Sequence, residues 1–238
     1  MIKYFSIHNS LNEQIMGKLP QVKEVLHNSH ISEEPNFIDK FPFKKIEINP
    51  ILSNAVLYSK SKQTDLIMTS SLGFSCGSLL ISDKLKKIFE QFKCFGVQFF
   101  SSYIVHKEKK NYDYWQSHIY DIPYDFIDFR NTDLLLKDRD ENRKLIQSYI
   151  ERVDKEEFLR MLENMKYPKM LYLKNISFTE QMNLDYFFLR NFEDASLGIA
   201  SENLKNEIEK QEITGIEFKP IELSMNDWLD SNGVTEKI

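Results

Sequence analysis

The sequence predicts an α+β fold: mixed sheets with packed helices, built around two related strand–helix–strand units at about 79–100 and 197–219. Three observations predict it. Strand and helix signals alternate along the 238 residues without a regular βαβ rhythm, which disfavours a doubly wound sheet. A shift of 119 residues lays Ser82–Phe99 over Ser201–Phe218. Finally, 42% hydrophobic residues, including 18 Phe, 11 Tyr and 2 Trp, can fill a core.

The internal repeat has six identical positions: Ser82/Ser201, Leu85/Leu204, Lys86/Lys205, Glu90/Glu209, Gly96/Gly215 and Phe99/Phe218. In each copy an apolar run reads as a short buried strand, and the serine after it as a helix N-cap. Asp83 or Glu202 then sits in the first turn, where the helix dipole favours an acid. Leu85, Ile88, Phe89 and Phe92 have the spacing of one helix face. The glycine ends the helix in a left-handed conformation, and a second strand follows. The whole chain, 1–238, is then one α+β domain, or two half-domains meeting near 105–140.

The other elements are read from local signals. Residues 1–50 contain Pro20, Pro35, Pro42 and Pro50 and are expected to be loop-rich, with one helix near 21–28. Val56–Ser59 and Asp65–Ser70 read as strands. Residues 140–166 are expected to be helical, with Leu145, Ile146, Tyr149, Ile150 and Val153 on one stripe and Phe158, Leu159, Leu162 and Met165 on another. Asp154 and Glu157 form a capping pair that would divide this region into two helices, and Pro168 stops it. Lys169–Leu173 and Leu184–Leu189 read as strands.

Composition narrows the function classes. The formal net charge of −5 resolves into +5 for residues 1–111, −5 for 112–141 and −5 for 142–238. An acidic chain is a poor sequence-independent DNA binder, so no direct nucleic-acid partner is expected. No segment approaches 18 consecutive apolar residues and no signal-peptide pattern opens the chain, so no membrane span and a cytoplasmic location are expected. Cys76 and Cys94 read as buried thiols.

Several motifs invite a chemical reading. Gly73-Phe74-Ser75-Cys76-Gly77 matches the nucleophile elbow of serine hydrolases, yet the next helix starts only after Ser82 and no histidine follows His118. Asp138-Arg139-Asp140-Glu141-Asn142 opens like a calcium loop, but Arg143 stands where glycine is needed and Tyr149 where glutamate is. His8, His27, His30, His106 and His118 lack zinc-site spacing. No metal and no cofactor are expected.

Tyr112–Phe129 concentrates seven aromatics, interleaved with Asp113, Asp121, Asp125 and Asp128. It reads as one or two half-buried strands with acidic outer positions. It also reads as an acidic–aromatic recognition surface for a cationic partner, or as a magnesium site of Asp121, Asp125 and Asp128.

A succession of phrases adds to these readings. Leu80-Ile81-Ser82 leads into the Ser-Asp-x-Leu-Lys helix, then Gly96-Val97-Gln98-Phe99, Tyr114-Trp115 and Asp125-Phe126-Ile127-Asp128-Phe129. Ile199-Ala200-Ser201-Glu202-Asn203-Leu204 and Ile213-Thr214-Gly215-Ile216-Glu217-Phe218, ending at Pro220, close it, and Gly17-Lys18-Leu19-Pro20-Gln21 fits near the start. The succession covers most of residues 60–222 and resembles the immunity-protein families of bacterial polymorphic toxin systems. Ala200 departs from the larger residue commoner there. The resemblance implies a non-enzymatic cytoplasmic protein that binds and neutralises a cognate toxin by stoichiometric protein–protein inhibition. Its motifs are structural, so they transfer no catalytic residue. The toxin-binding residues expected on this reading are Tyr114, Trp115, Asp121, Tyr124, Asp125 and Asp128, facing a basic nuclease-type toxin domain. Two alternatives stand beside it: a metal-dependent or serine hydrolase, and a small-ligand-binding regulatory module.

Overall fold

The computed structural model describes residues 2–27, 29–30, 33–69, 77–192, 195–223 and 225–231, without the side chains of Asn226 and Ser231. Five α-helices and thirteen strands occur among them, about 19% helix and 40% strand, in two mixed sheets. This is the α+β class. Contacts divide the chain into two compact units. Unit 1 is Met1–Ile122, Leu184–Phe188 and Gly198–Ile221, and unit 2 is Pro123–Asn183, Leu189–Leu197 and Glu222–Ile238.

Unit 1 opens with β1 (Tyr4–Asn9), α1 (Glu13–Met16), β2 (Val22–His27), β3 (Ser53–Leu57) and β4 (Leu66–Ile67). It continues with β5 (Leu80–Ser82), α2 (Asp83–Phe89), β6 (Val97–His106) and β7 (Lys109–Ile119). Strands β2-β3-β6-β7-β5-β4 form the six-stranded sheet in that order. Pairing is antiparallel except between β3 and β6. Unit 2 holds β8 (Asp133–Arg139), β9 (Leu145–Ile150), α3 (Lys155–Asn164) and β10 (Met170–Lys174), in the order β10-β8-β9, with α5 (Met225–Ser231). Strands β11 (Tyr186–Phe192) and β12 (Ala195–Ser201) contribute residues to both units; α4 (Glu202–Lys210) and β13 (Ile216–Pro220) belong to unit 1.

The repeat is β5–α2–β6 and β12–α4–β13, and its identical residues have matching physical roles. Ser82 and Ser201 sit at φ −68° and take the N–H of Leu85 and Leu204 at 3.2 Å each. Leu85 and Leu204 are fully buried. Lys86–Glu90 and Lys205–Glu209 form i,i+4 pairs at 2.6 Å. Gly96 and Gly215 have φ of +66° and +85°, and a Cβ there would strike the carbonyls of Asp121 and Leu66 respectively. Both demand glycine.

Strand register extends the repeat beyond the aligned segments. Ser82 lies opposite Tyr114, and Ser201 opposite Tyr4; Phe99 lies opposite Ser117, and Phe218 opposite Ile7. Strand β1 therefore stands to the second copy as β7 stands to the first. The tyrosine hydroxyls match as well, Tyr114 donating to the Thr64 carbonyl at 3.0 Å and Tyr4 to that of Leu184 at 3.2 Å. The second copy thus takes its third strand from the start of the chain, a circular permutation of the first.

The copies are stitched together reciprocally. Ser82 donates to Asp65 at 2.6 Å and Ser201 to Asp185 at 2.7 Å. Asp65 also accepts from the Thr214 N–H and hydroxyl, both at 2.8 Å, while Asp185 accepts from the Lys93 N–H at 3.1 Å. Each aspartate anchors the cap of its own copy and the turn after the other copy's helix. Helix α2 packs on α4, and one core joins Leu66, Ile81, Leu85 and Phe89 to Tyr186, Ala200, Leu204 and Ile208.

Two local expectations are corrected. Residues 22–27 are strand β2, not helix, because Val22, Val25 and Leu26 pair with Leu57, Ala55 and Asn54 and no cap or second helical turn competes. Residues 145–150 are strand β9, not helix, because Asp140 turns the chain back on itself. Its carboxylate accepts the N–H groups of Asn142 (2.9 Å) and Lys144 (2.8 Å), and Arg143 adopts φ +63°. Leu145–Ile150 then pairs with β8, and the helix starts only after Asp154, whose side chain takes the Glu157 N–H at 2.8 Å.

Candidate functional site

Strand alternation sorts the residues of the acidic–aromatic stretch. In unit 1, Tyr114 faces inward at 3% exposure, its hydroxyl committed to Thr64. Burial pushes its ionisation up, helped by Asp65 and Asp113. Trp115, on the other face of β7, is half-buried and donates its indole N–H to Asp83 at 3.1 Å. The Lys86 ammonium lies 4.1 Å from its ring centroid. The Lys87 ammonium, hydrogen-bonded to Asp83, holds that carboxyl below the usual carboxylate range, with the indole N–H acting the same way. Asp121 is exposed just beyond β7, its carboxylate taking the Ile122 N–H at 2.8 Å.

In unit 2, Tyr124 opens a short 3-10 turn (Tyr124–Phe126), its ring edge-on to Phe158 at 5.7 Å. Asp125 projects into solvent and pairs with Lys155 at 2.6 Å. Asp128 is half-buried and shapes the following turn, accepting from the Arg130 N–H at 3.2 Å and the Asn131 amide at 2.7 Å. The six expected residues are thus divided, Tyr114, Trp115 and Asp121 in unit 1 and Tyr124, Asp125 and Asp128 in unit 2. Of the aspartates, Asp121 and Asp125 are the exposed pair.

Sequence reasoning missed a further feature of unit 1. An open pocket of about 420 Å³ is lined by Asn49, Pro50, Asn54, Ser102, Tyr103 and Tyr112, among others. Tyr112 is 63% exposed, its ring 5.4 Å from that of Tyr103, over which Lys110 sits at 4.7 Å. Residues 49–54 and 101–103 are brought together by β3 pairing with β6, a contact no local signal announces.

The other chemical motifs resolve as follows. Gly73, Phe74, Ser75 and Cys76 lie outside the described residues. His118 shares a hydrogen bond of 2.8 Å with the Lys44 carbonyl, and burial lowers its pKa. His8, its counterpart on β1, shares one of 2.8 Å with Ser6. Burial, with Lys219 adding repulsion, lowers the His8 pKa to about 4. Cys94 donates its thiol to the Phe89 carbonyl, and burial, then Asp185, pushes its pKa up to about 12. Asp138–Asn142 forms the β8–β9 turn, in which Asp140 holds main-chain N–H groups. Among the described residues no group of three or more His, Cys, Asp or Glu is placed to hold a metal ion. No helix among them is long and apolar enough to cross a membrane.

Comparison with known proteins supplies what these side chains leave open. A family model described as "Immunity protein family (Imm11)" matches residues 3–223. No curated protein matches the chain.

Proposed function

The chain belongs to the Imm11 immunity protein family, and from that premise we propose that it neutralises a cognate toxin by stoichiometric binding in the cytoplasm, without turnover. The observation that carries this reading is the family match across residues 3–223. It is supported by the roles of the repeated residues, which are caps, turn glycines and core positions rather than reacting groups.

The proposed contact surface is the acidic–aromatic stretch, with Tyr114, Trp115, Asp121, Tyr124, Asp125 and Asp128 as its residues. Asp121 and Asp125 present the exposed carboxylates, and Tyr114 acts by fixing β7 from within. A nuclease-type toxin needs a basic cleft for its substrate, and exposed carboxylates would speed association with such a cleft. Trp115 would contribute more of the affinity, as aromatic anchors usually do.

Growth protection tests the first claim. Co-expression with the toxin encoded beside it restores growth, and failure to protect against any such neighbour overturns the immunity reading. Capture of the toxin tests the second. Trp115→Ala combined with Asp125→Lys, shown by circular dichroism to remain folded, weakens capture at least about tenfold. Unchanged capture removes this stretch from the interface.

A further inference from the structure

Strand β9 is the last strand of its sheet, and its outer edge is open among the described residues. Its sequence, Leu145-Ile146-Gln147-Ser148-Tyr149-Ile150, contains neither proline nor glycine. It pairs with β8 through six consecutive positions without a bulge, from Leu134↔Ile150 to Arg139↔Leu145. Leu145, Ile146 and Tyr149 are 44%, 48% and 65% exposed. The usual protections of a sheet edge, a bulge or a proline, are missing here.

The turn sets the phase of the ladder. The Asp140 N–H donates to the Lys144 carbonyl at 3.0 Å, which makes 140/144 a hydrogen-bonded position. Hydrogen-bonded positions alternate along an antiparallel pair. Ile146, Ser148 and Ile150 therefore spend their main-chain groups on β8, and those of Leu145, Gln147 and Tyr149 point outward. An open ladder of this kind is completed by another extended strand.

We propose that this strand is β9 of a second copy of the chain, added antiparallel about a two-fold axis at Gln147. The pattern of β9 and its flanks is self-complementary at that register. Leu145 faces the partner's Tyr149, Gln147 faces its own equivalent, and Arg143, in the turn just before β9, is brought beside the partner's Glu151. Arg143 and Glu151 are both exposed, and the side chain of neither pairs with another described residue. Centring the axis one residue later sets Lys144 against the partner's Arg152 and Leu145 against the partner's Glu151, so charge selects the register. The contact is isologous, and each copy closes the other's open edge. It is also small, so the dimer is weak and concentration-dependent. Nothing in it depends on the toxin reading.

Sedimentation of the whole chain tests it, from about 1 to 200 µM, the range in which a small interface dissociates. The expected result is a monomer–dimer equilibrium. Gln147→Pro removes an outward N–H that β8 does not use, a position where an edge strand tolerates proline. That variant keeps its circular dichroism spectrum and is monomeric. Arg143→Glu and Glu151→Arg each weaken the dimer about tenfold by setting like charges opposite, and the double variant restores it. A wild type that stays monomeric throughout overturns the proposal, as does a dimer that survives Gln147→Pro. A monomeric wild type whose Gln147→Pro variant loses toxin capture also overturns it, and gives the edge to a strand of the toxin.

Discussion

His8 couples folding to pH. Its side chain is held neutral on β1 by burial, with the Lys219 charge acting in the same direction, so its folded pKa falls from the ordinary 6.5 to about 4. The unfolded chain therefore takes up this proton first as pH falls. The stability His8 contributes is complete above about pH 6.5 and is lost between there and pH 4, up to about 3 kcal/mol in all. Chemical denaturation at a series of pH values checks this. The stability gap between the wild type and His8→Gln narrows from pH 7 to pH 4, whereas a gap that is flat with pH refutes the assignment. His118 is shifted in the same direction, with its Lys44 carbonyl bond and Asp39 partly opposing burial.

At the scale of the element, the two capped helices are the parts most plainly written in local sequence. Each cap serine accepts from the third helical N–H and donates to an aspartate, so Ser82→Ala and Ser201→Ala each remove two interactions. Each substitution costs about 1–2 kcal/mol in urea unfolding, and the two costs are similar. A silent Ser201→Ala would show that the matching geometry carries no matching energy. Serine, apolar spacing and glycine all lie within one contiguous stretch, which is why α2 and α4 were legible. Leu145–Ile150 shows the opposite case. Its apolar residues fit a helical stripe, but their β-branched and aromatic members suit a strand once Asp140 turns the chain onto β8. The candidate contact residues were legible as a composition only. Strand alternation put Tyr114 inside and Trp115 half-out, and neither is a property of composition.

At the scale of the molecule, the circular permutation makes the first strand indispensable to unit 1. Strand β1 lies between β12 and β13, pairing with both, as β7 lies between β5 and β6. Deleting residues 2–9 leaves both neighbours with an unpaired edge and removes Tyr4 and Ile7 from the core. The truncated chain is expected to lose cooperative thermal unfolding, whereas a comparable melt would mean that β1 is dispensable. The sequence by itself determined the α+β class, the two capped helices, the turn glycines and the family. Only the tertiary structure decided that the repeat extends to three strands per copy, and that the second copy borrows its third from residues 4–9. Those residues share only Tyr4 and His8 with Tyr114 and His118, at an offset different from that of the helices. Caps, periodicity and left-handed glycines act over a few neighbouring residues and leave a local signature. The partner of a strand is chosen by hydrogen bonds and packing between segments far apart in the chain, and no single segment records that choice.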